Sequence, residues 1–185
     1  IAIEYMDLAE QSLAALEKLS ADHPQPIVRA GGFAAVLSFI DFFSTGVQRS
    51  AAATAANLCR SPPSDAFDMI VAARPNLMAL LDSPDSRIRE SSMHGLARLA
   101  DAFRREPSRL ETLAGEDREL LQRTAALVTA VPPPRLGPAA YSAALRLLAT
   151  AARGSSSLSA ALLGMVHLPT TISSILNDAG SPFAL

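Results

Sequence analysis

The residues of this chain with evident chemical capacity are three histidines, one cysteine and, for its backbone, a diglycine. His23, His94 and His167 stand 71 and 73 residues apart. No His, Cys or Asp spacing brings together the three or four ligands that a metal site needs. Cys59 ends a run of small residues and follows Leu58 directly, where a thiol packs as a small apolar group rather than acting as a nucleophile. Gly31-Gly32 lacks the preceding strand, the further glycine and the lysine of a phosphate loop. Tyr5 and Tyr141 have no basic partner in sequence and read as packing residues. The sequence therefore predicts no catalytic residue, no metal and no cofactor.

What remains is recognition chemistry. The side-chain amide of Asn57 donates and accepts at once, which suits a peptide unit. Its other reading is a brace to a neighbouring turn. Arg49, Arg60, Arg87, Arg89, Arg98, Arg104, Arg105, Arg146 and Arg153 gather on helical stretches or at their ends. Facing a groove, they would favour acidic segments through charge-assisted, bidentate contacts. As an ordinary solvated face, they would find local partners such as Glu90 and Asp101.

Composition narrows the class. With 49% hydrophobic and 18% charged residues the chain is ordered, and its 185 residues suffice for one domain. Eighteen acids balance sixteen bases, and aromatics are 5%, so neither nucleic acid nor an anionic membrane is an expected partner. No apolar run reaches the roughly 18–20 residues of a membrane span. A single cysteine excludes an internal disulfide and points to a reducing compartment, nuclear or cytoplasmic. Because Ile1 falls inside a helical pattern (Ile3, Met6, Leu8, Leu13, Leu16) without a start Met, the chain reads as a piece of a larger protein.

These groups must be held by helices. Leu19, Leu58, Leu99 and Leu148 each end a small-residue helical stretch, at intervals of 39, 41 and 49 residues. Three share the frame Leu16-x-x-Leu19, Ala55-x-x-Leu58 and Leu96-x-x-Leu99, with Leu145-x-x-Leu148 a looser copy. A recurrence near ~40–47 residues is the mark of stacked helical units, and a stack presents a long surface rather than a pocket. Breakers divide the chain into units of about 1–22, 26–60, 64–105, 107–154 and a partial 156–180. Helices are expected over 2–21, 27–30, 33–43, 47–60, 65–72, a segment opening at Pro75, 86–104, 108–114, 117–130, 138–153, 158–166 and 170–179. Ser44, Ser64 or Asp65 are expected caps, and 132–138 is a proline-rich connection. No strand-like alternation competes. The fold class is all-α, an α-solenoid of about four armadillo-like (ARM/HEAT) repeats. A short helix before Gly31-Gly32, repeated at 65–72, favours armadillo units over two-helix HEAT units. With each frame's leucine in the core, the preceding residue (Lys18, Asn57, Arg98 and Leu147) falls on an adjacent helix edge. Lys18, Asn57, Arg89 and Arg98 are the expected groove residues.

Specific strings go further. The opening IAIEYMDLAEQ, then Arg29-Ala30-Gly31-Gly32, LSFIDFFSTGVQR over 37–49 and Ala55-Ala56-Asn57 resemble the N-terminal armadillo region of HECT-type E3 ubiquitin ligases. The nearest group is the plant and algal KAKTUS type, related to the thyroid-receptor-interacting and ubiquitin-fusion-degradation ligases. Asn57 is similar to the asparagine with which peptide-binding armadillo proteins hold an extended chain, although only one of the four frames carries it. The resemblance implies a module that selects protein substrates or degron segments, and in some relatives engages ubiquitin chains or proteasome components. It places the thioester-forming cysteine in a separate HECT domain, so Cys59 does not inherit that role. An armadillo adaptor or transport receptor that carries cargo peptides is the alternative.

Overall fold

The computed structural model describes residues 3–38, 40–42, 44–130 and 136–178. Most of the expected connection at 132–138, the end of the helix expected to reach Phe43, and residues 179–180 of the last unit lie outside them. Among the described residues the chain forms α-helices and short 3-10 turns, with no strand. The α-helices are α1 (Ile3–Asp22), α2 (Pro24–Arg29), α3 (Gly32–Ser38), α4 (Thr45–Leu58), α5 (Phe67–Ala79) and α6 (Ser86–Ala102). After them come α7 (Pro107–Ala114), α8 (Glu119–Thr129), α9 (Pro138–Gly154), α10 (Ser156–Leu163) and α11 (Leu168–Asn177).

Proline and glycine set the boundaries. Prolines occupy the first turn of α2, α7, α9 and α11, where a missing N–H costs nothing. Between α2 and α3 the chain reverses through Gly31 at φ +80°, open to glycine at little steric cost. At Gly32 a Cβ would lie 2.5 Å from Ile27 Cγ2, so the diglycine is needed twice, once for conformation and once for space.

The chain divides into two compact units, Ile1–Ala102 and Phe103–Leu185. In the first, α4 packs between α1 and α6, and α2 and α3 flank it; α5 packs against α3 and α6. Small residues let the layers approach: Ala51, Ala52 and Ala55 of α4 are fully buried, and Gly95 of α6 faces the Ala56 backbone. In the second, α9 packs against α7, α8 and α10, and α11 against α8 and α10, around Leu110, Leu113, Leu120, Leu121, Leu147 and Leu148. Consecutive helices thus stack layer on layer within each unit, which is the all-α solenoid expected from the leucine recurrence.

The structure corrects several local readings. Leu58, Leu99 and Leu148 are buried, but Leu19 is 52% exposed. The covered side of α1 instead carries Leu13 and Ser20, because α4 and α2 lie against that side. Leu147, placed on a helix edge by the frame, is buried with Leu148. Pro75 does not open a helix; it lies inside α5, which runs on from a 3-10 turn at Ser64–Ala66. Ser44 stands at the N-cap of α4 without a side-chain cap bond, and the 3-10 turn begins after Pro63, not under a Ser64 or Asp65 cap. Asp65 is engaged elsewhere, by Arg29 at 3.0 Å. Side-chain caps form at Asp85, which accepts from the N–H groups of Arg87 and Ile88, and at Ser155, which accepts from Leu158.

Candidate protein-binding surface

The expected groove residues of the first unit sit on α1, α4 and α6. Asn57 is half-buried, and its Nδ2 donates to Ser20 Oγ on α1 at 3.2 Å, while Ser20 donates in turn to the Glu17 carbonyl at 2.7 Å. One layer further on, Arg98 Nη1 donates to the Ala56 carbonyl at 2.5 Å. Asn57 and the carbonyl that Arg98 engages are thus neighbours on one short stretch of α4, and the two bonds tie α1, α4 and α6 together. Arg60 adds a parallel tie from the end of α4 to the Ala21 carbonyl, at 3.3 Å.

The other two expected residues stand apart. Lys18 is exposed on α1. Arg89 lies at the start of α6, about 13 Å along the axis from Arg98 at about 1.5 Å per residue. Its Nη1 donates to the carbonyls of Ser83 and Pro84 at 2.6 and 2.8 Å, holding the turn that leads into α6. The structure thus brings the Arg98 bond to the residue before Asn57, while Arg89 holds the turn ahead of α6 and Lys18 is exposed on α1.

Two residues beside Arg98 escaped the sequence reading. Ser91 and His94 are half-buried on α6, and with Arg98 and Asp101 they recur at steps of three, four and three, which is one face of a helix. That polar row is visible in the sequence once α6 is known. Ser20 was hidden by the frame that put Leu19 in the core.

What the surface can do follows from donor counts. One N–H of the Asn57 amide goes to Ser20, which leaves a second N–H and the Oδ1 carbonyl to pair with a peptide unit. Arg98 supplies positive charge next to them. Cys59, one turn beyond Ala55, is 1% exposed, and burial pushes its thiol pKa strongly up, against a smaller opposite pull from Arg98. A thiol held protonated in this way is no nucleophile. Elsewhere in the unit Arg49 pairs with Asp85 at 2.5 Å, and Asp85 and Asp65 are held below the usual carboxylate range by their arginine partners. Among the described residues, no group of three or more His, Cys, Asp or Glu comes together as a metal site.

No protein-family profile matches the chain. Individual relatives do. The chain is 45% identical to the E3 ubiquitin-protein ligase UPL3 of Arabidopsis thaliana, over 84% of its own length and 8% of that protein. It is 42% identical to UPL4 of the same plant over 61% of the chain and 8% of UPL4, and 40% identical to TRIP12 of Danio rerio over 71% and 6%. The chain is homologous to a region of HECT-type E3 ubiquitin ligases. It spans less than a tenth of the length of these relatives. A solved engineered protein shares its fold with a TM-score of 0.73 over 92% of the chain and 66% of the other, at 21% identity. The relatives are ligases by name, and none of these three supports the adaptor or transport-receptor alternative.

Proposed function

We propose that this region of a ligase homologue is an armadillo-type recognition module that holds a protein segment for ubiquitin transfer by a HECT domain of the same protein, in the nucleus or cytosol. The observation that carries it is the pair of bonds that set Asn57 against α1 and Arg98 against the Ala56 carbonyl next to it, with an amide N–H and carbonyl of Asn57 left for a peptide backbone and an arginine nearby. An extended segment bearing carboxylates, such as an acidic degron, meets both demands. Holding that segment raises the effective concentration of a target lysine at the transfer site without any chemistry in the module itself. Ubiquitin chains and proteasome components are further partners of the same kind.

The test is capture of an acidic degron peptide by the full-length protein, with Asn57→Ala and Arg98→Gln as variants. Each is expected to weaken binding about tenfold, the loss of one charged or bidentate contact. Circular dichroism checks that the fold is kept. If both variants bind as tightly as the parent, recognition does not occur here.

A further inference from the structure

We propose that the groove formed by α9, α10 and α11 is the seat of one further helix, about 14 residues long and rich in small side chains, supplied by the same polypeptide beyond Leu185. The first unit contains the template. There α1, α2 and α3 together cradle α4, a helix of 14 residues, and α4 closes over Leu13, Val28, Phe33 and Leu37, all 8% exposed or less. In the second unit α9, α10 and α11 follow the same order of one long helix and two short ones. Here the cradle is open, a groove of about 500 Å³ lined almost wholly by apolar side chains.

The residues that should be covered are bare. Ala149 of α9 occupies the position one after Leu148, as Cys59 does after Leu58, yet Cys59 is 1% exposed and Ala149 is exposed. Leu163 at the end of α10 is 73% exposed and Leu176 of α11 is 40% exposed, with Leu145 and Ile172 between them in the groove wall. A contiguous apolar surface of this kind marks an interaction site.

The template also states the occupant's chemistry. The sides of α4 that touch neighbouring layers are Ala51, Ala52, Ala55 and Ala56, with Leu58 as the large residue. A matching helix carries Ala, Ser or Thr at those spacings and one leucine near its end. At about 1.5 Å per residue it is about 21 Å long, twice what the seven residues after Asp178 could supply. The 159 matched residues are only 8% of UPL3, so a homologue of that length has material for it. The inference stands on packing alone and is independent of the recognition role proposed for Asn57 and Arg98.

Maleimide labelling of Ala149→Cys and Leu163→Cys tests it, in the 185-residue chain and in the full-length protein. Arg153→Cys, exposed on α9, is the open control and Cys59 the buried one. In the full-length protein both groove cysteines are expected to label at least 100-fold more slowly than Arg153→Cys, and in the 185-residue chain at a similar rate to it. Equal labelling of all three positions in both proteins would overturn the proposal. So would protection in the 185-residue chain together with a doubled mass in sedimentation, because a second copy would then fill the groove.

Discussion

Cys59 shows how much a single buried group can report. The sequence places it beside Leu58 in a helix of small residues, and the structure buries it. Its raised pKa has a consequence for stability. Up to about pH 8.5 the thiol is protonated in both the folded and the unfolded chain and contributes no pH dependence. Above that, the unfolded chain loses the proton and the folded chain keeps it, so stability falls with rising pH by up to about 1.4 kcal/mol per unit. Urea unfolding at about pH 8, 9 and 10 should show this slope in the parent and lose it in Cys59→Ala. Gly95 offers a second residue-scale test. A Cβ there would touch Ala56, Leu77 and Cys59 at 3.4 to 3.5 Å, ordinary contact distances. Gly95→Ala should leave stability unchanged or raise it by up to about 1 kcal/mol through helix propensity, whereas Gly95→Leu overfills the layer and should cost about 1–3 kcal/mol. Gly154→Ala should destabilise, because its Cβ would meet Leu110 Cδ1 and stand 3.0 Å from the Arg104 carbonyl. Thermal unfolding of the three variants ranks them.

Element boundaries were legible where proline or glycine enforces them and less so elsewhere. The starts of α7 and α9, and the turn at Gly31-Gly32, follow directly from residues that allow few conformations. By contrast, α2 begins at Pro24, ahead of the helix expected from Ile27, because prolines fit the first turn of a helix as well as they break one. Pro75 misled because a proline normally ends a helix, yet α5 carries it in its interior. Packing on both sides, by α3 and α6, holds that helix despite the lost backbone hydrogen bond. The frame Leu16-x-x-Leu19 misled for another reason. Periodicity identifies a helix, but which face is buried depends on the helices that flank it, and α1 turns Leu13 and Ser20 toward α4. The cap of α6 is the element-scale feature most open to test. Asp85 accepts from two backbone N–H groups and also receives Arg49 from the start of α4. Asp85→Asn keeps a capping oxygen and loses the ion pair; Asp85→Ala loses both. The melting temperature should therefore fall for each variant and fall further for alanine. In acid the pair's contribution should vanish as pH drops through the lowered carboxylate pKa, and the parent and Asp85→Asn should then converge.

Across the whole molecule, fifteen of the sixteen basic residues are arginine, with Lys18 the one lysine. Their partners explain what many of them do. Arg29 reaches Asp65 and Arg49 reaches Asp85, each 36 residues away, while Arg60 and Arg98 reach carbonyls of the preceding layer 39 and 42 residues back. In the second unit Arg118 donates to Ser157, 39 residues on, and Arg109 pairs with Glu106. The guanidinium fork suits this bracing between stacked helices, because it spans two groups at once without needing a buried counter-charge. A local reading cannot see partners so far away, which is why the arginines first read as either a groove or a solvated face. Ties of this kind engage positive groups with carbonyls and carboxylates, and the formal net charge is already −2. Arginines tied in this way contribute little to the counterion release that drives polyanion binding. On a heparin matrix the chain should emerge at or below about 0.15 M salt, a concentration at which surface charges are screened beyond roughly 8 Å. Retention to much higher salt would show that the arginines form a continuous basic track, and the bracing role argued for them would then be wrong.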